Sequence, residues 1–185
     1  MNTRDRQREE TKKRIYQEAF KLFDQYGYDK VKVSDIAKAA KVSVGSVYYH
    51  YKNKEAIIDY GYYEFDQLLK EAYEKQSFQN EREAILFLID FQIKDVFLDI
   101  GLKMTTICFK NQINADNTYL YCDERYLYQK LLENLSSIEN KEHFAKMILR
   151  ISRGSIYDWC CHNGNYDLIE AAHEVISIIL DYICL

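Results

Sequence analysis

Between Val33 and Ile57 the chain reads VSDIAKAAKVSVGSVYYHYKNKEAI, a run whose polar residues suit contact with duplex DNA. Gly45 and Ser46 are small enough to let a helix start approach the floor of a major groove, where base edges carry the sequence code. Tyr49, His50 and Lys54 are long enough to reach phosphates instead, and such contacts set register without reading sequence. The candidate DNA-contacting set is Ser34, Val44, Gly45, Ser46, Tyr48, Tyr49, His50 and Lys54.

These side chains need two short helices to position them. Ser34 is expected to cap a helix with Ile36, Ala37 and Ala40 on a narrow apolar stripe. Lys41 and Val42 form a turn, and Ser43 caps a second helix that turns Val47 and Tyr51 inward. A third helix, from Thr11 to Tyr26, repeats Ile15, Ala19, Leu22, Phe23 and Tyr26 on one face wide enough to cover both. Gly27 stops it. Taken alone, the pattern also describes ordinary helices of an all-α domain, since serine caps and alanine-rich turns are common.

The order of residue types resembles the TetR family of bacterial one-component transcription regulators. The resemblance lies in Ile15, Ala19, Leu22, Phe23, Gly27 and Tyr28, and continues through Val33, Asp35, Ile36, Ala37, Ala40, Val42, Ser43, Gly45, Ser46, Tyr48, His50, Tyr51, Lys54 and Glu55. It covers the amino-terminal third of the chain; the remainder matches in architecture alone. One departure is Lys41, where the family usually has glycine, and a lysine at positive φ there costs roughly 1 kcal/mol.

Charge is unevenly divided. Of the 25 Lys and Arg and 29 Asp and Glu, residues 1–55 hold 13 and 8, leaving 12 and 21 for the rest. A basic head on an acidic body directs the head toward phosphate. Arg4, Arg6 and Arg8 precede the first expected helix and read either as a basic arm for a minor groove or as a frayed terminus. With no apolar run near residue 1 and no stretch of about 18 apolar residues, the expected location is cytoplasmic, away from membranes.

Five cysteines, Cys108, Cys122, Cys160, Cys161 and Cys184, show no CxxC spacing and an odd count, so they are expected to be reduced thiols. Cys160, Cys161 and His162 form a cluster that reads as a soft-metal or redox site, or more plainly as packed helix residues, because adjacent helix positions point apart. No cofactor and no metal are expected. Nothing resembles a nucleophile elbow, a phosphate-binding glycine loop or a zinc-ligand pair, and the four histidines lie far apart, which argues against an enzyme.

The remaining chain reads as successive helices without a single proline. Asn53 is expected to cap a long helix to about Gln76, which divides the chain into a helix-turn-helix domain at 1–52 and a helical ligand-binding and dimerisation domain at 53–185. Further helices are expected at 81–99, 104–113 and 124–136. A hairpin of Lys141–Cys161 and Leu168–Ile183 closes the chain around Gly164. By resemblance this hairpin packs against its two-fold mate, through Ile148, Ile151, Ser155, Trp159, Val175, Ile176 and Ile179; the other reading is that it completes the monomer's own core. Among the 17 Tyr and 9 Phe, Tyr62, Phe65, Phe91, Phe97, Phe109 and Tyr126 are candidates to line a pocket for a small-molecule effector, or else are plain core; Tyr119 belongs to the same middle region.

The resulting expectation is an all-α, homodimeric, ligand-responsive repressor that binds a double-stranded DNA operator. The alternative is a helical protein-interaction module whose basic head contacts an acidic partner. Small residues at Gly45 and Ser46 favour the first, because a protein-binding helix more often carries large apolar anchors there.

Overall fold

The computed structural model describes residues 3–114 and 122–185; Tyr119 lies outside them. The described residues form nine α-helices. The chain divides into two compact units, Met1–Tyr63 and Glu64–Leu185.

The first unit holds α1 (Thr3–Tyr26), a 3-10 turn (Tyr28–Lys30), α2 (Val33–Ala39), α3 (Val44–His50) and the start of α4 (Lys54–Tyr73). Its core is the apolar set expected from spacing: Ile15, Ala19 and Phe23 of α1 close on Ile36, Ala37, Ala40, Val47 and Tyr51, all buried. Tyr26 is a correction. It is 54% exposed, and with half-buried Leu22 it borders a shallow groove floored by Val31 and Ala39. The α1 stripe is therefore narrower than its sequence period, because α2 is only seven residues long and cannot cover the last turn. Helix α1 also begins eight residues earlier than expected. Arg4, Arg6 and Arg8 lie inside it, since the segment contains neither glycine nor proline and is rich in helix-forming Arg, Gln, Glu and Lys.

Two further points of the turn chemistry differ from expectation. Ser34 does not cap α2. The helix starts one residue before it, after Lys32, whose backbone N–H donates to the Asp35 carboxylate at 2.9 Å. The turn after α2 keeps the left-handed conformation with lysine in it: Lys41 has φ 55°. The Val42 N–H donates to the Ala37 carbonyl at 2.9 Å and the Lys41 N–H to Lys38 at 3.2 Å, the paired bonds of a helix end that glycine normally makes. These bonds offset the local strain.

The second unit contains the end of α4, α5 (Glu81–Gln92) running into a π-helical segment (Ile93–Leu98), α6 (Gly101–Asn114), α7 (Tyr126–Asn134), α8 (Lys141–Cys161) and α9 (Leu168–Tyr182). Helices α8 and α9 form the expected hairpin, turned at Gly164 with φ 70°. A Cβ at that position would lie 2.9 Å from the Trp159 ring, so both backbone angle and space require glycine. Buried polar groups tie the helices in pairs. The Ser152 hydroxyl of α8 donates to the Gln92 side chain at 2.7 Å, and Arg125, at the start of α7, donates through Nη2 to Asp66 of α4 at 2.8 Å with both side chains almost fully buried. The Thr105 hydroxyl donates to the Phe97 and Gly101 carbonyls at 2.8 and 2.9 Å, bridging the π-helical segment to α6. Among the described residues no helix is long and apolar enough to cross a membrane.

Candidate nucleic-acid interface

Helix α3 is built to present one face. Its cap is Ser43, whose Oγ accepts from the Ser46 N–H at 3.0 Å. This bond satisfies one of the unpaired donors of the first turn and sets the angle at which the helix leaves the turn. Val47 and Tyr51 anchor the opposite face in the core, and the Tyr51 hydroxyl donates to the Lys12 carbonyl of α1 at 2.9 Å. What remains outward is the set expected from sequence. Val44, Gly45, Tyr48 and Tyr49 are exposed, Ser46 and His50 half-buried, and Ser34 is exposed in the first turn of α2. Tyr49 is 70% exposed, an unusual cost for an aromatic ring unless it has a surface to meet.

Lys54 is placed differently. Its ammonium donates to the carbonyls of Tyr28 at 2.8 Å and Val31 at 3.0 Å, and sits 4.3 Å from the centre of the Tyr28 ring. Two of its three donors therefore close the 3-10 turn onto the start of α4, so it acts chiefly as a brace rather than as the expected free phosphate contact. The Tyr28 hydroxyl completes the brace by donating to Glu55 at 2.8 Å. Burial, then the Glu55 carboxylate, push this phenol well above its usual range and keep it a neutral donor.

Helix α1 brings basic side chains beside this face, a placement outside the sequence-based expectations. The Arg8 guanidinium lies 5.7 Å from the Tyr49 ring centre, and the Lys12 ammonium lies 4.4 Å from that of Tyr60. Arg4, Arg8 and Lys12 are spaced four apart, which puts them on one helix face. That spacing was readable once the segment is taken as helix rather than arm. Partial burial, then the charges of Arg8 and Lys12, hold the His50 imidazole below its ordinary value. The edge of α3 is thus electropositive without His50 itself being charged.

The residues expected to wall an effector pocket pack largely on one another. Tyr62, in the first unit, is buried, as are Phe65 and Phe97; Phe91, Phe109 and Tyr126 are half-buried. In the second unit Phe65 meets Phe91 at 5.7 Å, Phe97 meets Phe109 at 5.5 Å, and Tyr126 meets Tyr73 at 6.3 Å. Phe109 additionally borders an open groove with Ile113, Tyr157, Cys160 and Cys161. Cys160 and His162 do not converge on an ion with Cys161: the His162 Nδ1 lies 2.9 Å from the Asp158 carbonyl, burial pushes the Cys160 thiol up, and no group of three metal-ligating side chains occurs among the described residues.

The expected dimer contacts divide in two. Ile148, Trp159, Ile176 and Ile179 are buried inside the chain's own hairpin and core, which is a correction: Ile148 and Ile176 have no exposed surface and Trp159 and Ile179 very little. Ile151 and Ser155 are half-buried and Val175 is exposed. The outward apolar residues of α9 are Val175, Ile178 and Tyr182, 41%, 64% and 78% exposed, one helical turn apart.

Residues 15–60 match the family model of bacterial regulatory proteins, tetR family. The A-factor receptor protein of Streptomyces griseus is 42% identical over 48 residues, which is 26% of this chain but 17% of that protein. The HTH-type transcriptional regulator SAR2658 of Staphylococcus aureus is 21% identical over 180 residues, covering 93% of this chain and 94% of its own length. In fold, the chain is similar to Thermus thermophilus FadR, a TetR-family transcriptional repressor solved in complex with lauroyl-CoA, with a TM-score of 0.70, 20% identity, and coverage of 91% and 93% of the two chains. Residues 15–60, on the helices that build this interface, thus carry the signature of the TetR family of bacterial regulatory proteins, and the chain as a whole shares the fold of a solved TetR-family repressor.

Proposed function

We propose that the protein is a homodimeric repressor that holds an operator through α3 and releases it when a small molecule binds the second unit. The observation that carries this reading is the outward face of α3. Small Gly45 and Ser46 stand at its first turn, and exposed Val44, Tyr48 and Tyr49 flank them. The first turn reads base edges, and the flanking aromatic and basic groups, Arg8 among them, hold phosphates. Two such heads, one per protomer, bind half-sites spaced by about one helical turn of DNA or a multiple of it.

The exposed apolar stripe of Val175, Ile178 and Tyr182 supports the dimer, with half-buried Ile151 and Ser155 of α8 as further contacts. The domain division follows the same logic: a reading head at residues 1–52 and a regulatory domain at 53–185, with α4 as the continuous element that leads from one to the other. A ligand that shifts α4 changes the separation of the two heads, and a coupling of about 1–3 kcal/mol changes DNA affinity by about 5- to 150-fold. T. thermophilus FadR, solved with lauroyl-CoA, supports a small-molecule effector for a chain of this fold. The protein works in the cytoplasm, on DNA, by binding rather than by catalysis.

The test is fluorescence anisotropy of the purified protein with the intergenic duplex beside its own gene, a scrambled duplex as control, and salt as the variable. Binding at least about a thousandfold tighter than the control is expected. Equal, weak binding to that duplex and to a pool of random genomic fragments would refute sequence-specific reading.

A further inference from the structure

We propose that the groove between α7 and α8 is an anion site that accepts a soluble phosphate monoester with a small apolar substituent. The second unit is acidic overall, yet Arg125, Lys146, Arg150 and Arg153 all line this one cavity of about 350 Å³, against a single acidic lining residue, Asp123. The Arg125 charge is already matched by buried Asp66. Lys146, Arg150 and Arg153 follow one another at intervals of four and three along α8, so they share a face. Arg150 is exposed and has no ion pair or hydrogen bond among the described residues. Lys146 and Arg150 converge against one carboxylate, Asp123, and a dianion relieves their mutual repulsion better than a singly charged carboxylate does.

The rest of the lining specifies the substituent. Leu127, Tyr128 and Leu149 form an apolar floor and are themselves almost fully buried, so the floor is rigid. The Lys146 ammonium lies 5.9 Å from the Tyr128 ring centre, which places it at the junction of the charged rim and this floor. The cavity is at the small end of the range for ligand sites, about 300–1,000 Å³, which fits a monocyclic or short-chain group. On α8 the basic face is turned away from Ile151 and Ser155, so the site stays open in the proposed dimer.

This inference rests on the effector reading above, and its test separates the two. The probes are phenyl phosphate, inorganic phosphate and benzoate, titrated calorimetrically into the full chain without DNA at constant ionic strength. Phenyl phosphate should bind at least tenfold tighter than either of the others. Lys146→Ala/Arg150→Ala should weaken it at least tenfold, while Lys103→Ala, an exposed charge elsewhere in the unit, should leave it unchanged. Far-ultraviolet circular dichroism would confirm that the double variant keeps its helices. Absence of phenyl phosphate binding, equal binding of benzoate, or undiminished binding by the folded double variant would each overturn the proposal. Binding that passes these tests but leaves DNA affinity unchanged would uphold the site and refute its role as the effector site.

Discussion

Replacing Lys54 with methionine separates a brace from a DNA contact. The substitution keeps the aliphatic stem against Tyr28 and removes the ammonium that donates to the Tyr28 and Val31 carbonyls at 2.8 and 3.0 Å. A hydrogen bond from a charged group contributes about 1.5–3 kcal/mol, and the ring contact at 4.3 Å adds about 0.5 kcal/mol. At the low end of these figures the two bonds and the ring contact together come to about 3.5 kcal/mol, and because the group is half-buried water replaces nearly half of it. The net cost is about 2 kcal/mol, which lowers the melting temperature of a chain this size by about 4–8 °C. Urea and thermal unfolding followed by circular dichroism would read that loss. The slope of log affinity against log salt should stay the same, whereas loss of a phosphate contact would reduce it by about 0.9. Wild-type stability combined with a reduced salt slope would refute the brace and restore Lys54 to the DNA-contacting surface.

Other perturbations test the remaining parts of the structure. Ile178→Glu, on the exposed face of α9, should yield folded monomers by light scattering, while the same change at buried Ile179 should unfold the chain; a persistent Ile178→Glu dimer would place the interface elsewhere. Asp66→Asn removes the carboxylate charge that the buried Arg125 guanidinium meets at 2.8 Å and should cost about 3–5 kcal/mol in thermal or urea unfolding; a loss below about 1 kcal/mol would mean that the pair does not hold α7 to α4. The His50 imidazole is held below its ordinary value by burial, Arg8 and Lys12, so as pH falls below about 6.5 the unfolded chain takes up this proton first and His50 withdraws stability. Phosphates reverse that preference: DNA affinity should rise as pH falls from about 7.5 to about 6, and His50→Gln should flatten the rise, whereas an equal rise in the variant would exclude His50 as its source.

Much of the reading head was legible because its information is local. A serine oxygen three residues ahead of an N–H and an apolar pair four residues apart are short-range constraints, and Ser43, Val47 and Tyr51 stand as those rules require, while Gly27 ends α1 at φ 87° and ψ 141° rather than in the left-handed helical conformation. Helix spans from α4 to α9 followed the apolar period for the same reason. The start of α1 was not legible in this way, because a polar helix without an apolar stripe and a polar arm have the same composition; only the side chains of Tyr49 and Tyr60 beside Arg8 and Lys12 distinguish them.

Caps, periods and breaks act over one or two turns, so local spacing alone specifies an all-helical chain and the Ser43 cap of α3. The tertiary structure decided which apolar face each long helix buries. Ile176 and Ile178 both lie in the apolar α9, yet one is buried and the other 64% exposed, since that choice depends on where α5 and α8 pack. It decided that Lys54 meets carbonyls 26 and 23 residues away in sequence. It also gathered Arg125, ahead of α7, and the cations of α8 around one cavity in an acidic unit, for proximity between distant segments is a property of packing and leaves no mark in the spacing of either.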